Sequence, residues 1–423
     1  MKYSWYRLDN SAIVYQMVIT QNAQSLYRLG VKLHSNVDKT ALITAVNDAL
    51  QRFPYFKSEL KRGFFRPYLD ENKHSPIVEE DDGILLKILN FKKNNGYLFR
   101  TTYFGTRIFI DFFHGLCDGT GALEFFKSVL YYYFKALGKE FPSDNIITQE
   151  VPINPEETED AFARYYKKPN LKKGIDSMAS GTAYRLKGKK FIYEGFGLIQ
   201  ATVSTNALLD TSRKLNCSIT VLLTALMLYS VSIVYNKDTF KHPLTAFIPI
   251  NLRKKFPSRT LTNFTVFAKL VIPRNIEYTL ENIILTVKDL LEKQLDENEI
   301  LLKMGFSSLM AKFPLLKYMP LFIKTHISRI SRNLSPSKQT FILSNVGKVN
   351  IDSDLIDHFL LNLNCNSKTP KNIAVISYKD KTNISFTRKL IDTDVEQVFF
   401  KELAKLCGNV EIVSNFREEN NAL

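Results

Sequence analysis

The sequence predicts a mixed α/β protein built as two domains. Three observations lead there. At 423 residues, 45% of them hydrophobic, the chain outgrows one ordinary core. Segments of strand period and helix period alternate in a similar order in both halves. Between the halves, residues 142–180 are rich in Pro, Glu, Asp and Lys and poor in apolar residues, which marks a linker or crossover. The expected division is 1–165 and 180–423, joined through 142–180.

Each element has its own signal. Residues 25–34 alternate like a strand. Asp38 opens a helix whose apolar face is Leu42, Ile43, Val46, Ala49 and Leu50, and Pro54 ends it. Short strands are expected at 56–61, 64–69, 84–90, 97–104 and 106–113. An amphipathic helix follows from Gly121 to Leu137. In the second half, strands are expected at 191–204, 244–250, 263–272, 339–344, 372–378 and 383–389. Helices are expected at 205–215, 218–235, 279–312, 315–331 and 394–407.

The stretch Cys217–Tyr235 carries no charge but holds five hydroxyl side chains (Ser218, Thr220, Thr224, Ser230 and Ser232) among others. It reads as a helix buried on all sides rather than a membrane span. Cys117, Cys217, Cys365 and Cys407 are far apart, so they read as reduced core thiols rather than a disulfide frame or zinc site. The opening Met1-Lys2-Tyr3-Ser4-Trp5 has no signal-peptide apolar region, and cytoplasmic residence is the expectation. Net charge is +15, spread along the chain. Most of that excess reads as a Lys-rich composition. No basic run is interleaved with aromatics, so no nucleic-acid partner is expected.

The chemistry centres on Phe112-Phe113-His114-Gly115-Leu116-Cys117-Asp118-Gly119-Thr120-Gly121. An apolar run, 108–113, leads into His114, and a helix follows. The bland reading makes His114 a core residue at a strand end and Asp118 or Thr120 the helix cap. The functional reading uses an imidazole that titrates near neutrality for proton transfer. Three glycines, Gly115, Gly119 and Gly121, favour the second reading, because they permit a sharp turn and close approach of a substrate. Cys117 beside His114 lacks the third, orienting group of a nucleophile pair. There is no Gly-x-Ser-x-Gly elbow, P-loop or dinucleotide fingerprint. His34, His74, His242, His326 and His358 stand alone, so no metal site is expected.

Two further segments stand out. Ile248-Pro249-Ile250-Asn251-Leu252-Arg253 leads through Lys254, Lys255 and Arg259 to Asn263-Phe264. This is either an exposed basic hairpin or a frame for an inward Arg253 with Lys254, Lys255 and Arg259 facing phosphates. Phe341-Ile342-Leu343-Ser344-Asn345-Val346-Gly347-Lys348 ends a strand, and taken alone it is a turn.

Taken in this order, with Trp5-Tyr6-Arg7-Leu8-Asp9-Asn10 and Arg52-Phe53-Pro54, the three segments resemble the bacterial alcohol-acetyltransferase-like branch of the CoA-dependent acyltransferases. That superfamily includes chloramphenicol acetyltransferase, plant BAHD enzymes and peptide-synthetase condensation domains. The resemblance covers nearly the whole chain. It rests on His114-x-x-x-Asp118-Gly119, Asn251-Leu252-Arg253 to Asn263-Phe264, and Ser344-Asn345-Val346-Gly347. Phe113 stands where many members have a first histidine.

The resemblance implies an α+β sandwich of two related domains with a channel between them. It implies transfer of an acyl group from acetyl-CoA or another acyl-CoA to a small alcohol or amine, without a metal. His114 would be the general base. Asp118 would point away from the substrate and hold Arg253. Ser344, Asn263 or Asn345 would face the oxyanion or acyl donor, and Lys254, Lys255, Arg259 or Lys348 the CoA phosphates. A monomer is expected. The alternatives are a donor carried on an acyl carrier protein, or a non-catalytic member that binds an acyl ligand or protein partner.

Overall fold

The computed structural model describes residues 5–17, 19, 24–170, 172, 181–191, 195–236, 240–312 and 318–415. Among these, three sheets and their covering helices form the molecule. The smallest sheet joins β1 (Trp5–Arg7), β4 (Pro67–Glu71) and β3 (Ser58–Arg62), with β4 in the middle. Helix α1 (Asn10–Met17) follows β1 directly.

The five-stranded sheet contains β2 (Leu26–Leu33), β5 (Val78–Glu80), β6 (Phe99–Phe104), β7 (Arg107–Phe113) and β12 (Ile356–Leu363). Its order is β12-β2-β7-β6-β5. Strands β2, β6 and β7 alternate large apolar residues such as Leu29, Val31, Ile108 and Ile110 inward. Helices α2 (Lys39–Arg52) and α3 (Gly119–Ala136) add Leu42, Val46, Phe125 and Val129 to the same core. Asp38 caps α2 by accepting from Ala41 N at 2.8 Å, which satisfies one of the free amides of the first turn. Beneath the strand that carries the site, Asp111 accepts from Arg28 at 2.6 Å and from Arg100 at 2.7 Å. All three side chains are buried.

The seven-stranded sheet runs β10-β9-β11-β13-β14-β8-β15. Its strands are β8 (Gly197–Ser204), β9 (Thr245–Asn251), β10 (Thr265–Val271), β11 (Phe341–Lys348), β13 (Lys371–Tyr378), β14 (Lys381–Arg388) and β15 (Val410–Ser414). Helices α5 (Thr205–Lys214), α6 (Ile219–Val234), α7 (Leu280–Gln294) and α10 (Asp394–Cys407) cover it. The uncharged stretch at 217–235 is α6, buried as its composition predicts. No single described helix is long and apolar enough to cross a membrane. The four cysteines are free thiols, Cys117 and Cys365 buried and the others half-buried.

Some expectations need correction. Residues 84–90 form no strand. Leu86 has φ of 52°, in the left-handed region, which breaks any ladder there. Leu85, Leu86 and Leu89 are still buried in the first core, so the apolar run marks burial without pairing. The predicted helix 279–312 is two, α7 and α8 (Glu297–Lys312), broken after Gln294. The next helix, α9, runs Leu321–Leu334; positions 315–317 of the expected span lie outside the described residues. Of the expected strand 191–204, β8 starts at Gly197, and 192–194 lie outside the described residues. Unpredicted are β1, α1, β5, β12 and β15.

The segment 142–170 is more than a tether; 171 and 173–180 lie outside the described residues. It holds a short 3-10 turn at Pro155–Thr158 and helix α4 (Ala161–Arg164). Glu157 meets the Arg52 guanidinium at 2.7 and 2.9 Å, and its carbonyl accepts from Leu261 N at 2.7 Å. Ala161 and Phe162 pack with Phe256, Phe264 and Ile300.

Candidate active site

His114 sits where β7 leaves its sheet. Its backbone N–H donates to Ser25 O at 2.8 Å, which fixes the departure point beside β2. The chain then turns, with Leu116 N donating to Phe113 O at 2.8 Å, and Asp118 caps α3 through Thr120 N and Gly121 N. Gly115, Gly119 and Gly121 are not among the positive-φ residues, so the turn itself does not need them. Gly121 has another reason. A Cβ there would lie 1.9 Å from Leu261 O, so only glycine lets α3 approach that loop.

Asp118 is a junction of three elements. Besides the two cap bonds, it accepts from Arg253 at 2.8 and 3.2 Å and from Phe264 N at 2.8 Å. The Arg253 guanidinium also donates to Thr260 O and Thr262 O. Both oxygens of Asp118 are thereby occupied by donors on the protein.

The imidazole of His114 lies between two tyrosines. Tyr15 of α1 stacks on it at 4.4 Å between ring centroids, and Tyr27 of β2 meets it edge-on at 5.0 Å. Nδ1 is 3.1 Å from Asn263 Oδ1. Asn263 Nδ2 in turn donates to Asp9 Oδ2 at 3.0 Å. Nε2 makes no hydrogen bond to any described residue. Burial holds the His114 pKa below 6.5, opposed by the Asp118 charge and by the ring's hydrogen bonds to Asn263 and to its own backbone. The ring is therefore neutral near pH 7 and its free nitrogen is a base.

A cavity of about 260 Å³ reaches this ring. The first half of the chain lines it with Tyr15, Ser25, Tyr27, His114, Gly119 and Thr120. The second half adds Pro249, Asn251, Phe267, Ser344, Asn345, Val346 and Asn372, among others. Ser344 and Asn345 come from β11, beside a bulge between Asn345 and Gly347. Gly347 has φ of 88°, and its N–H donates to Asn345 Oδ1 at 2.9 Å. Asn345 Nδ2 donates to Thr220 Oγ1 at 3.1 Å, so both ends of this side chain are engaged. The Ser344 hydroxyl makes no hydrogen bond among the described residues.

Other candidates stand farther off. Lys254, Lys255 and Arg259 are exposed on the loop between β9 and β10, and Lys348 is exposed at the end of β11. None of the four lines the cavity. Lys255 Nζ donates to Leu295 O. Cys117 is buried with its thiol beside Tyr27 Oη, and burial pushes its pKa far up, so it remains a neutral thiol.

Sequence reasoning missed Tyr15, Tyr27 and the part played by Asp9. Asp9 does carry a helix-start signal. It lies just before α1 and accepts from Ala12 N at 2.8 Å. Nothing in the spacing announces its second contact, with a residue 254 positions away.

No family model and no curated protein matches the sequence. Solved structures do match in three dimensions. Polyketide synthase associated protein 5 from Mycobacterium tuberculosis is 14% identical with a TM-score of 0.62, over 97% of this chain and 99% of that one. TRI101 of F. graminearum, solved with coenzyme A and T-2 mycotoxin, is 11% identical with a TM-score of 0.62, over 97% and 100%. TRI3 trichothecene 15-O-acetyltransferase from Fusarium sporotrichioides is 11% identical with a TM-score of 0.58, over 96% and 97%. Epimerization and starter condensation domains of peptide synthetases also match. The chain has the two-domain fold of the acyltransferases and condensation domains. The likeness spans nearly the whole length of each partner, and at these identities it is a likeness of fold.

Proposed function

We propose that this protein transfers an acyl group from an acyl-CoA to an alcohol or amine, with His114 as general base. One observation carries the reading. A neutral imidazole has Nδ1 tied to Asn263, while the ring borders a cavity lined from both halves of the chain.

The chemistry follows from those atoms. The acceptor's O–H or N–H proton passes to His114 Nε2 as its lone pair attacks the thioester carbonyl. The carbon–sulfur bond then breaks, and the imidazolium returns the proton to the departing thiolate. No acyl-enzyme is needed, and Cys117 is too deeply buried to form one. Asp118 is no second acid, because its oxygens are filled by Arg253, Phe264 N and the helix cap. We assign it, with Arg253, to holding the loop that presents His114.

Of the oxyanion candidates we favour Ser344, whose hydroxyl is free at the cavity wall. Asn263 and Asn345 each have both ends of the amide engaged. Lys254, Arg259 and Lys348 are exposed outside the cavity, where they suit the phosphates of a ligand whose acyl end reaches inward, whereas Lys255 is engaged by Leu295 O. The fold neighbours support CoA as donor, since TRI101 was solved with coenzyme A.

Thiol release from a panel of acyl-CoAs, with alcohols and amines as acceptors, tests this. Acceptor-dependent release is expected, falling by roughly two to four orders of magnitude in His114→Ala with folding intact. Full turnover in that variant overturns the reading. So does transfer from an acylated carrier protein alone, with no use of acyl-CoA.

A further inference from the structure

Asp9 and Asn263 contact no cavity space through the Asp9 carboxylate, yet they end on the nitrogen of His114 that faces away from the proposed reaction. We propose that Asp9 sets the tautomer of His114 through Asn263, and so keeps Nε2 free to act as base. Asp9 is in this sense a positioning residue. The proposal rests on the general-base reading only for its catalytic consequence; the tautomer is a property of the protein alone.

The argument is one of donors and acceptors. An ionised carboxylate only accepts. Asp9 Oδ1 is taken by Ala12 N at 2.8 Å, and Oδ2 faces Asn263 Nδ2 at 3.0 Å and Asn263 N at 3.4 Å. A flipped Asn263 would set its carbonyl oxygen against that carboxylate, two acceptors with no proton between them. Asn263 is therefore held with Nδ2 toward Asp9 and Oδ1 toward the ring. An oxygen 3.1 Å from Nδ1 requires a hydrogen on Nδ1. The Nε2 lone pair is what remains. Asp9 and Asn263 are 2% and 1% exposed, so water does not compete for these bonds.

The arrangement is also held on both sides. Phe264 N is bound to Asp118 and Thr262 O to Arg253, so Asn263 sits between two fixed neighbours. Asp9 is fixed by capping α1, the same helix that stacks Tyr15 on the ring. The three residues come from three separate parts of the chain, and the His114 backbone adds a hydrogen bond of its own to the ring.

Substitution reverses the logic in a checkable way. In Asp9→Asn the new amide still accepts from Ala12 N, so the cap survives. Its nitrogen faces Asn263 Nδ2, donor against donor, and Asn263 flips. The Asn263 amide then donates to Nδ1, which must give up its hydrogen, and the proton moves to Nε2. Adding Asn263→Asp restores an acceptor opposite Nδ1, and the new amide at position 9 donates to it.

Nitrogen NMR of the full chain, labelled at histidine and assigned with His114→Gln, reads the tautomer directly. The expected result is Nδ1–H in the wild type, Nε2–H in Asp9→Asn, and Nδ1–H again in Asp9→Asn/Asn263→Asp. Acyl transfer should follow the same order: kcat falls about 100-fold or more in the single variant with KM little changed, and partly recovers in the double. An Nε2–H wild-type spectrum overturns the proposal, and needs no variant to fold. So does a folded Asp9→Asn that keeps Nδ1–H. If the tautomer switches as expected while acyl transfer is unaffected, the tautomer control stands and the general-base reading falls.

Discussion

Arg253 and Asp118, 135 positions apart, meet through two hydrogen bonds of 2.8 and 3.2 Å. The pair ties the start of α3 to the turn after β9, and so joins the loop of the catalytic candidate to the other half of the chain. Both side chains are nearly buried, at 11% and 2% exposure. Removing one partner strands the other charge. Asp118→Ala should lower stability by about 3–5 kcal/mol, and Arg253→Ala by a similar amount. A double-mutant cycle in denaturant unfolding should show coupling of roughly 0.5–3 kcal/mol between the two. Additive losses would mean that the bonds stabilise nothing jointly.

Ser344 should behave differently from Asp118. Its hydroxyl makes no bond that the fold requires, so Ser344→Ala should melt with the wild type. If the hydroxyl meets the oxyanion, kcat falls by about 10²- to 10³-fold with KM nearly unchanged. Steady-state kinetics on the best acyl-CoA and acceptor decides this. An unchanged kcat removes Ser344 from the reaction.

Asp111 offers a contrast. It lies three residues before His114 and binds Arg28 and Arg100 in a buried network, without touching the imidazole. Asp111→Ala leaves two buried guanidinium groups short of a partner and should cost about 3–5 kcal/mol of stability. At a temperature where the variant remains folded, kcat should stay within a few-fold of wild type. A large loss of kcat with intact stability would show that the network governs the site rather than the sheet.

The pH dependence of stability carries the signature of Asp9. Burial pushes its carboxyl from 3.8 up to about 6, against the opposing pull of the Ala12 and Asn263 hydrogen bonds. The folded chain then holds this proton more tightly than the unfolded one. Stability contributed by the group is greatest below the unfolded value and declines as pH rises to the folded one, by about 3 kcal/mol. Asp9→Asn does not titrate. Relative to wild type it should therefore gain about 3 kcal/mol between about pH 3.5 and 7, measured by denaturant unfolding at each pH. A constant difference across that range would place the Asp9 pKa near its ordinary value.

What the sequence disclosed follows from what is local. Helix α2 was legible because an apolar face and the Asp38 cap lie within a few residues of each other, and α6 because a long uncharged run carries its own signal. His114 and Asp118 were legible because strand, turn and cap occupy ten consecutive positions. The strand expected at 84–90 failed because an apolar run reports burial, and Leu86 in the left-handed region prevents pairing. Strand β12 was missed because what makes it a strand is a partner more than 300 residues earlier. The Asp9–Asn263 contact was hidden for the same reason: one end lies just before α1, the other just before β10, and the two share no period.

The place of β12 has a consequence for how the chain is made. Residues 356–363 form an outer strand of a sheet whose other four strands all lie before position 114. During synthesis, β2 emerges some 320 residues ahead of the segment that pairs with it. Until then β2 offers an open row of amides and carbonyls, the kind of edge that invites wrong pairing. A nascent or truncated chain ending before Ile356 should therefore be prone to aggregate, because the five-stranded sheet cannot close until residues 356–363 are made.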